Sequence, residues 1–287
     1  MRVKEQAWGK VNYFLSVGGA YGNGYHAIET LMQTISLHDI VTVEVEEGDG
    51  ISLIITNDDT LPTDESNLAY RAALVFLQHL GRPLRIRIEI EKHIPIAGGL
   101  AGGSADAAAV LRGINKCIGN IYSLRELAEM ANEFGSDIAF CVYGGLALCK
   151  GRGEMVYPLP RTRNLHFLIA NSGEKVSTRE AYTLLDTRPS KIEVIGSFDC
   201  AKALWFGEME DIATASLNSF EEVVLPTCPE TLKILSEMKE FVPFAQMSGS
   251  GPTIFAVFDS RNKALSLQEK LSFETIYAHT IFPREED

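Results

Sequence analysis

The chain has 287 residues, enough for one large domain or two modest ones with cores of their own. Lys and Arg number 26 against 38 Asp and Glu, a net charge of −12 that excludes ordinary nucleic-acid binding, which needs phosphate-neutralising cations. Hydrophobic residues at 46% and charged residues at 22% place the sequence among folded globular proteins and away from disorder.

The opening segment MRVKEQAWGKVNYFLSV is interrupted by charge too often for a secretory signal, and no eighteen apolar residues run together, so a cytoplasmic protein without a membrane partner is expected. Alternation of apolar and polar residues predicts strands from Ile40 (IVTVEVEE), Ile51 (ISLIIT) and Leu84 (LRIRIEIE). Between the last two, helical spacing over residues 66–80 follows the capping pair Ser66-Asn67 and stops at Gly81. A Gly-rich loop comes next, then an Ala-rich helix over 104–117 and a helix from the Ser123 cap to about 134. Strands are expected over 146–149, 155–159 and 165–170, and helices over 178–185, 199–206, 211–217 and 230–239. Strands near Phe244, Thr253 and Thr275, with a helix near Leu265, complete the chain. This irregular alternation fits an α+β protein of two lobes better than a doubly wound parallel sheet. Pro158, Pro160 and an Arg-Thr-Arg cluster break the periodicity, which sets the expected domains at 1–158 and 159–287. The five cysteines form no C-x-x-C pair, and they are expected to be reduced, mostly buried and free of metal.

The densest chemical signal is IPIAGGLAGGSADAAAV at residues 94–110. Glycines let backbone N–H groups turn inward, and a helix starting directly behind them adds the positive end of its dipole, which together suit an anion such as phosphate. Ser104, at the expected loop-to-helix junction, would cap the helix or offer its hydroxyl to phosphate or to Mg²⁺. The bland alternative is a flexible turn into a tightly packed Ala helix. No Walker A, dinucleotide-binding or protein-kinase motif is present.

Taken with AWGKVN at 7–12 and MSGSGPT at 247–253, this loop resembles the three motifs of the galactokinase, homoserine kinase, mevalonate kinase and phosphomevalonate kinase (GHMP) superfamily, in the same order over nearly the whole chain. GNGYH at 22–26, GSDIAFCVYGG at 135–145, GRGE at 151–154 and VSTREAY at 176–182 narrow the resemblance to the 4-diphosphocytidyl-2-C-methyl-D-erythritol kinases. The resemblance implies a two-lobe fold, with a βαβ-containing N-terminal lobe and a ferredoxin-like C-terminal lobe. It implies ATP and Mg²⁺ as cofactors, a small-molecule substrate carrying a cytidine diphosphate moiety, and a place in non-mevalonate isoprenoid biosynthesis.

Residue by residue, Lys10 and Asp137 match the family's catalytic pair and Asn12 a substrate contact. The resemblance gives the nucleotide phosphates to Pro95, Gly98, Gly99, Leu100, Ala101, Gly102, Gly103, Ser104 and Ala105, and the border of the adenine pocket to Asn67. It gives the cytosine to Tyr25, His26 and Tyr182, with Thr178 near the same pocket. The chemistry suits these types: phosphoryl transfer is mainly positioning and charge stabilisation, and aromatic faces suit a flat base. Read without the resemblance, Lys10 is a solvated lysine, Asp137 a helix cap, Asn67 a helix cap and Tyr25-His26 a turn. Two alternatives stay open: a ligand-sensing module that keeps the fold without transferring phosphate, and a homoserine or mevalonate kinase. Neither of those kinases has a cytosine to hold. The oligomeric state is not legible.

Overall fold

Residues 1–20, 26–187 and 196–283 are described in the computed structural model. They divide into two units assembled from discontinuous segments, the first from Met1–Gly9, Leu37–Pro95 and Ala101–Gly144, the second from Lys10–Ser36, Ile96–Leu100 and Gly145–Asp287. The cut expected at 158/159 follows chain order, whereas packing interleaves the segments, because β1 (Arg2–Ala20) and β2 (His26–Glu46) each begin in one unit and end in the other.

In the first unit, β3 (Ile51–Ile55) runs parallel to β4 (Arg85–Glu91), and the connection between them holds α1 (Leu68–Leu80), so the three elements form a βαβ unit. β4 pairs antiparallel with the second half of β2, Val43 standing opposite Ile88. Val41, Val43, Val45, Ile86, Ile88 and Ile90 are buried while Arg85, Arg87, Glu89 and Glu91 are exposed, the period-two pattern of a sheet covered on one face. Helix α1 starts where Asn67 accepts the Ala69 N–H at 2.9 Å and stops at Gly81, whose φ of 69° only glycine adopts cheaply. The Ala-rich α2 (Gly102–Cys117) is buried almost all round. Its small side chains allow close approach to the sheet: a methyl group at Gly113 would stand 2.7 Å from Val43 Cγ2. Then come α3 (Leu124–Ala131), begun by a capping box between Ser123 and Glu126, and α4 (Ser136–Tyr143), ended by Gly144.

In the second unit, Ile28–Gln33 of β2 pairs antiparallel with β5 (Leu146–Gly151), which turns back into β6 (Met155–Leu159). β7 (His166–Ala170) leads to α5 (Thr178–Asp186), α6 (Phe198–Phe206) and α7 (Met209–Ala215), then to the short β8 (Leu217–Asn218), which pairs parallel with β1 at Phe14 and Leu15. After α8 (Glu221–Val224) and α9 (Pro229–Phe241) come β9 (Ala245–Met247), β10 (Ile254–Phe258), α10 (Arg261–Gln268) and β11 (Ile276–His279). β7, β9, β10 and β11 form one antiparallel sheet in the order β11-β7-β10-β9. That order, with helices between β7 and β9 and between β10 and β11, is the ferredoxin-like arrangement. Leu168, Ala256, Leu235, Met238 and Phe220 lie in the core under it.

The observed elements depart from the expected ones in the segments that carry Lys10 and Asp137. β1 was not expected, and β2 starts at His26 rather than near Ile40; from Gly9 to Val17 every residue of β1 is buried, so no alternation marks the strand. α4 was also missed, being eight residues with Ile138 to Val142 all buried and therefore no polar face. All five cysteines are free and four are buried.

Candidate active site

The three superfamily motifs meet at one glycine of the second unit. Lys10 is 3% exposed, and its ammonium donates to Gly99 O and to Asn12 Oδ1, both at 2.8 Å. It is thus a held, buried cation and not a solvated surface lysine. Asn12 passes the network on by donating to Thr30 Oγ1 at 2.8 Å, which donates to Phe14 O at 2.7 Å. Ser248 Oγ reaches the same Gly99 carbonyl at 3.0 Å, and a side chain at Gly99 is impossible because a Cβ would stand 2.0 Å from Ser248 O. The backbone N–H of Lys10 bonds to Leu100 O at 3.1 Å, so strand and loop are tied twice.

The loop around Ser248 is itself braced by residues that sequence reasoning did not single out. Asn218 donates to Met247 O at 2.7 Å and Gly249 O at 2.9 Å, and the Glu221 carboxylate accepts the Met247 N–H at 2.7 Å. Burial pushes the Glu221 carboxyl up, against that hydrogen bond. Buried Gln246 donates to Asn12 O at 3.1 Å from β9. Their only signal in the sequence is polar side chains inside otherwise apolar stretches. Thr178, at the start of α5, meets Ser250 with 3.0 Å between the hydroxyl oxygens.

His26 and Tyr182 come together, their rings stacked with centroids 4.8 Å apart and planes 25° from parallel. The far edge of the pair is set by Phe220, perpendicular to Tyr182 at 5.0 Å, and His26 Nε2 lies 2.8 Å from Asp186 Oδ1. Tyr25 lies outside the described residues.

In the first unit, α2 begins at Gly102, two residues before the expected start, and its N-cap is Ala101 at φ 59° with no side-chain cap. Ser104 is therefore the third helical residue and does not cap the helix; Gly102 and Gly103 before it take helical angles, which glycine's free backbone permits. With no cap, the first-turn N–H groups of Gly102, Gly103 and Ser104 remain for a ligand. The approach to this turn runs through positive φ at Ala97 (53°), Gly99 (74°) and Ala101 (59°), which glycine takes freely and the two alanines only with strain. Pro95, Gly98, Leu100 and Ala105 belong to the same continuous segment, of which Leu100 and Ala105 are buried. The N-terminal ends of α1 and α2 are neighbours, since a methyl group at Gly103 would stand 3.7 Å from Leu68 Cδ1. Asn67 spends its side chain on the α1 cap and on Pro62 O at 2.8 Å. Ser66 is not part of the cap, its hydroxyl donating to Asp64 at 2.6 Å. Asp137 is half-buried in the first turn of α4, where a carboxylate complements the helix dipole; the cap is Gly135.

Among the described residues no group of three or more His, Cys, Asp or Glu side chains is placed to hold a metal ion, and no helix is long and apolar enough to cross a membrane.

The family model described as GHMP kinases N terminal domain matches residues 67–145, and that described as GHMP kinases C terminal matches residues 200–276. A 4-diphosphocytidyl-2-C-methyl-D-erythritol kinase of Caldicellulosiruptor saccharolyticus is 38% identical over 93% of this chain and 91% of its own. One of Listeria monocytogenes is 38% identical over 92% of this chain and 89% of its own. A crystal structure of 4-(cytidine 5'-diphospho)-2C-methyl-D-erythritol kinase superposes with a TM-score of 0.82 at 29% identity, covering 97% of this chain and 99% of that one. The fold alone reaches further, to a mevalonate pyrophosphate decarboxylase from Streptococcus pyogenes with a TM-score of 0.74 at 12% identity. A scaffold that carries both kinases and a decarboxylase does not by itself fix the reaction. Identity of this level over nearly the full length does fix the lineage: the chain belongs to the 4-diphosphocytidyl-2-C-methyl-D-erythritol kinase family of the GHMP kinases.

Proposed function

We propose that the chain transfers the γ-phosphoryl group of ATP to a hydroxyl of 4-diphosphocytidyl-2-C-methyl-D-erythritol, giving the 2-phosphate and ADP, a cytoplasmic step of non-mevalonate isoprenoid biosynthesis. The observation that carries this reading is the 38% identity over 93% of the chain to proteins bearing that name.

The substrate hydroxyl oxygen forms a bond to the γ-phosphorus as the bond to the β–γ bridging oxygen breaks, and ADP leaves with that electron pair. Asp137 accepts the hydroxyl proton, since a neutral alcohol is a poor nucleophile. Lys10 supplies positive charge to the transferring group; its burial and its bonds to Gly99 and Asn12 support that role by fixing the ammonium before substrate arrives. The first-turn N–H groups of α2 and the loop before it take the ATP phosphates, and Asn67 borders the adenine. Tyr25, His26, Thr178 and Tyr182 hold the cytidine end. Mg²⁺ in such kinases is bound chiefly through substrate phosphates, and the Ser104 hydroxyl is an oxygen donor of suitable chemistry. Once bound, it neutralises phosphate charge.

The test is ATP-dependent phosphorylation of a panel of diphosphocytidyl-methylerythritol, mevalonate and homoserine. Transfer to the first alone is expected; transfer to either of the others without the first overturns the assignment.

A further inference from the structure

Three charged residues of the first unit, Asp39, Lys92 and Asp106, have no part in the mechanism above, yet they lie directly beside the turn assigned to phosphate. Asp39 on β2 is fully buried and accepts the N–H groups of His93 and Ile94 with one oxygen, the latter at 2.8 Å. Its other oxygen pairs with the Lys92 ammonium, which also donates to Asp106 Oδ2 at 2.6 Å. The side chains of Lys92, Asp39 and Asp106 are 9%, 0% and 7% exposed. A single ammonium thus ties the segment entering the Gly-rich loop, residues 92–94, to the helix leaving it. Gly102, the first residue of that helix, sits against the tie: a methyl group there would stand 3.2 Å from Ile94 Cγ2 and 3.5 Å from Lys92 Nζ.

Stability alone does not account for this arrangement. Burying each ion costs several kcal/mol, and well-packed apolar residues of similar volume often serve a core as well or better. Here two carboxylates face one ammonium, and Asp106 Oδ1 meets no hydrogen-bond donor among the described residues. Burial pushes the Asp106 carboxyl up to about 7; burial also opposes the Lys92 charge, but the two carboxylates together raise its pKa above the ordinary lysine value. The first turn of α2, meanwhile, has no side-chain cap and is entered through a left-handed alanine, so no capping side chain sets its direction.

We propose that Asp39, Lys92 and Asp106 form a clasp that positions the first turn of α2, so that its N–H groups are aimed for the ATP phosphates before nucleotide binds. They are positioning residues, and the inference rests on the reading of that turn as the phosphate site. Pre-organised donors bind without the cost of reorganising, and a displacement near 1 Å can cost about 10²-fold.

Asp106→Ala is the cleanest test, because it cuts the tie to α2 while leaving Lys92 and Asp39 as a neutral pair. Affinity for a non-hydrolysable ATP analogue, read by titration calorimetry, should fall about 10–100-fold, and KM for ATP should rise in step. Affinity for cytidine diphosphate and kcat should hold, which a general loosening of the fold would not allow. Asp106→Asn keeps an oxygen for the Lys92 ammonium and should restore nucleotide affinity. Lys92→Met, if it folds, should match the alanine variant. A parent protein that fails to bind the analogue overturns the phosphate reading and the clasp together. A parent that binds it, beside an Asp106→Ala variant that binds it equally well, overturns the clasp alone.

Discussion

The first turn of α2 and the His26–Tyr182 ring pair are the places proposed to hold the two substrates, and they are made of opposite materials. The turn offers backbone: Gly102 and Gly103 have no side chain, and Ala101 and Ala105 on either side have the smallest one. The ring pair offers side chains alone, stacked at 4.8 Å and backed by Phe220, from positions near the start and beyond the middle of the chain. Backbone recognition needs absent side chains over consecutive residues, because successive N–H groups must all approach one anion. Recognition of a base by rings needs only that two distant strands of sequence fold to one place. The first device is therefore written as a contiguous motif, the second as isolated letters.

The largest effect should fall on neither grip. Asp137→Asn preserves shape and leaves the Gly135 cap of α4 untouched, but removes the proton acceptor, so turnover should drop by about 10²–10⁴-fold. Affinities for cytidine diphosphate and for an ATP analogue should both stay near the parent values. Lys10→Met should depress turnover as well, through lost charge stabilisation, with thermal melts checking that the buried network around Gly99 survives. A fully active Asp137→Asn enzyme removes the base assignment.

Next comes the ring pair. Tyr182→Ala takes away the partner of His26 and a stacking surface worth about 1–3 kcal/mol per base in related settings. Calorimetry should find cytidine diphosphate weakened and the ATP analogue unaffected. Equal loss for both ligands would mean that the two grips are not separate.

The backbone grip should answer to a smaller change with the reverse pattern. A methyl group at Gly103 meets only Leu68 Cδ1 at 3.7 Å, an ordinary contact, and alanine is the better helix former by up to about 1 kcal/mol. Gly103→Ala should keep or raise the melting temperature while lowering affinity for the ATP analogue about tenfold, which corresponds to about 1.4 kcal/mol. Cytidine diphosphate should bind as before. The neighbouring Gly102 is a poorer test, since a Cβ there crowds Ile94 at 3.2 Å and mixes fold with function.

How far each region was legible follows from the same contrast. The loop at 94–110 could be read from its glycines, though its helix starts at Gly102 and Ser104 is inside it, because nothing in the sequence says whether consecutive glycines take helical or extended angles. Helix α1 was legible at both ends from Asn67 and Gly81, and β4 from its alternation. β1 and α4, which carry Lys10 and Asp137, were not, since burial on every side erases the polar phase that marks an element. Lys10 and Asp137 were therefore reachable through resemblance only. The clasp left no readable trace: Asp39 inside β2, Lys92 just after β4 and Asp106 early in α2 are ordinary letters, and only the fold brings both carboxylates within one ammonium's reach.

The smallest effect concerns pH, and it separates the charge of that clasp from its geometry. Burial raises the Asp106 carboxyl to about 7, so the folded protein holds this proton more tightly than the unfolded chain, whose aspartates titrate near 4. Stability from this group is fully present below about pH 4 and is lost as pH rises through about 7, when a second carboxylate charge must be borne in a site with one ammonium. Lys92 stays protonated over that range, its pKa lying above the ordinary lysine value, so it adds no slope of its own. Asp106→Asn presents a neutral group at every pH. At pH 4 parent and variant should melt closest together, because Asp106 is neutral in the folded protein and has only begun to ionise in the unfolded chain. By pH 8 the variant should melt higher by a few degrees, on the order of 1–2 kcal/mol for a chain of this size. A gap between the two melting curves that stays constant from pH 5 to pH 8 would show that Asp106 ionises freely in the folded state.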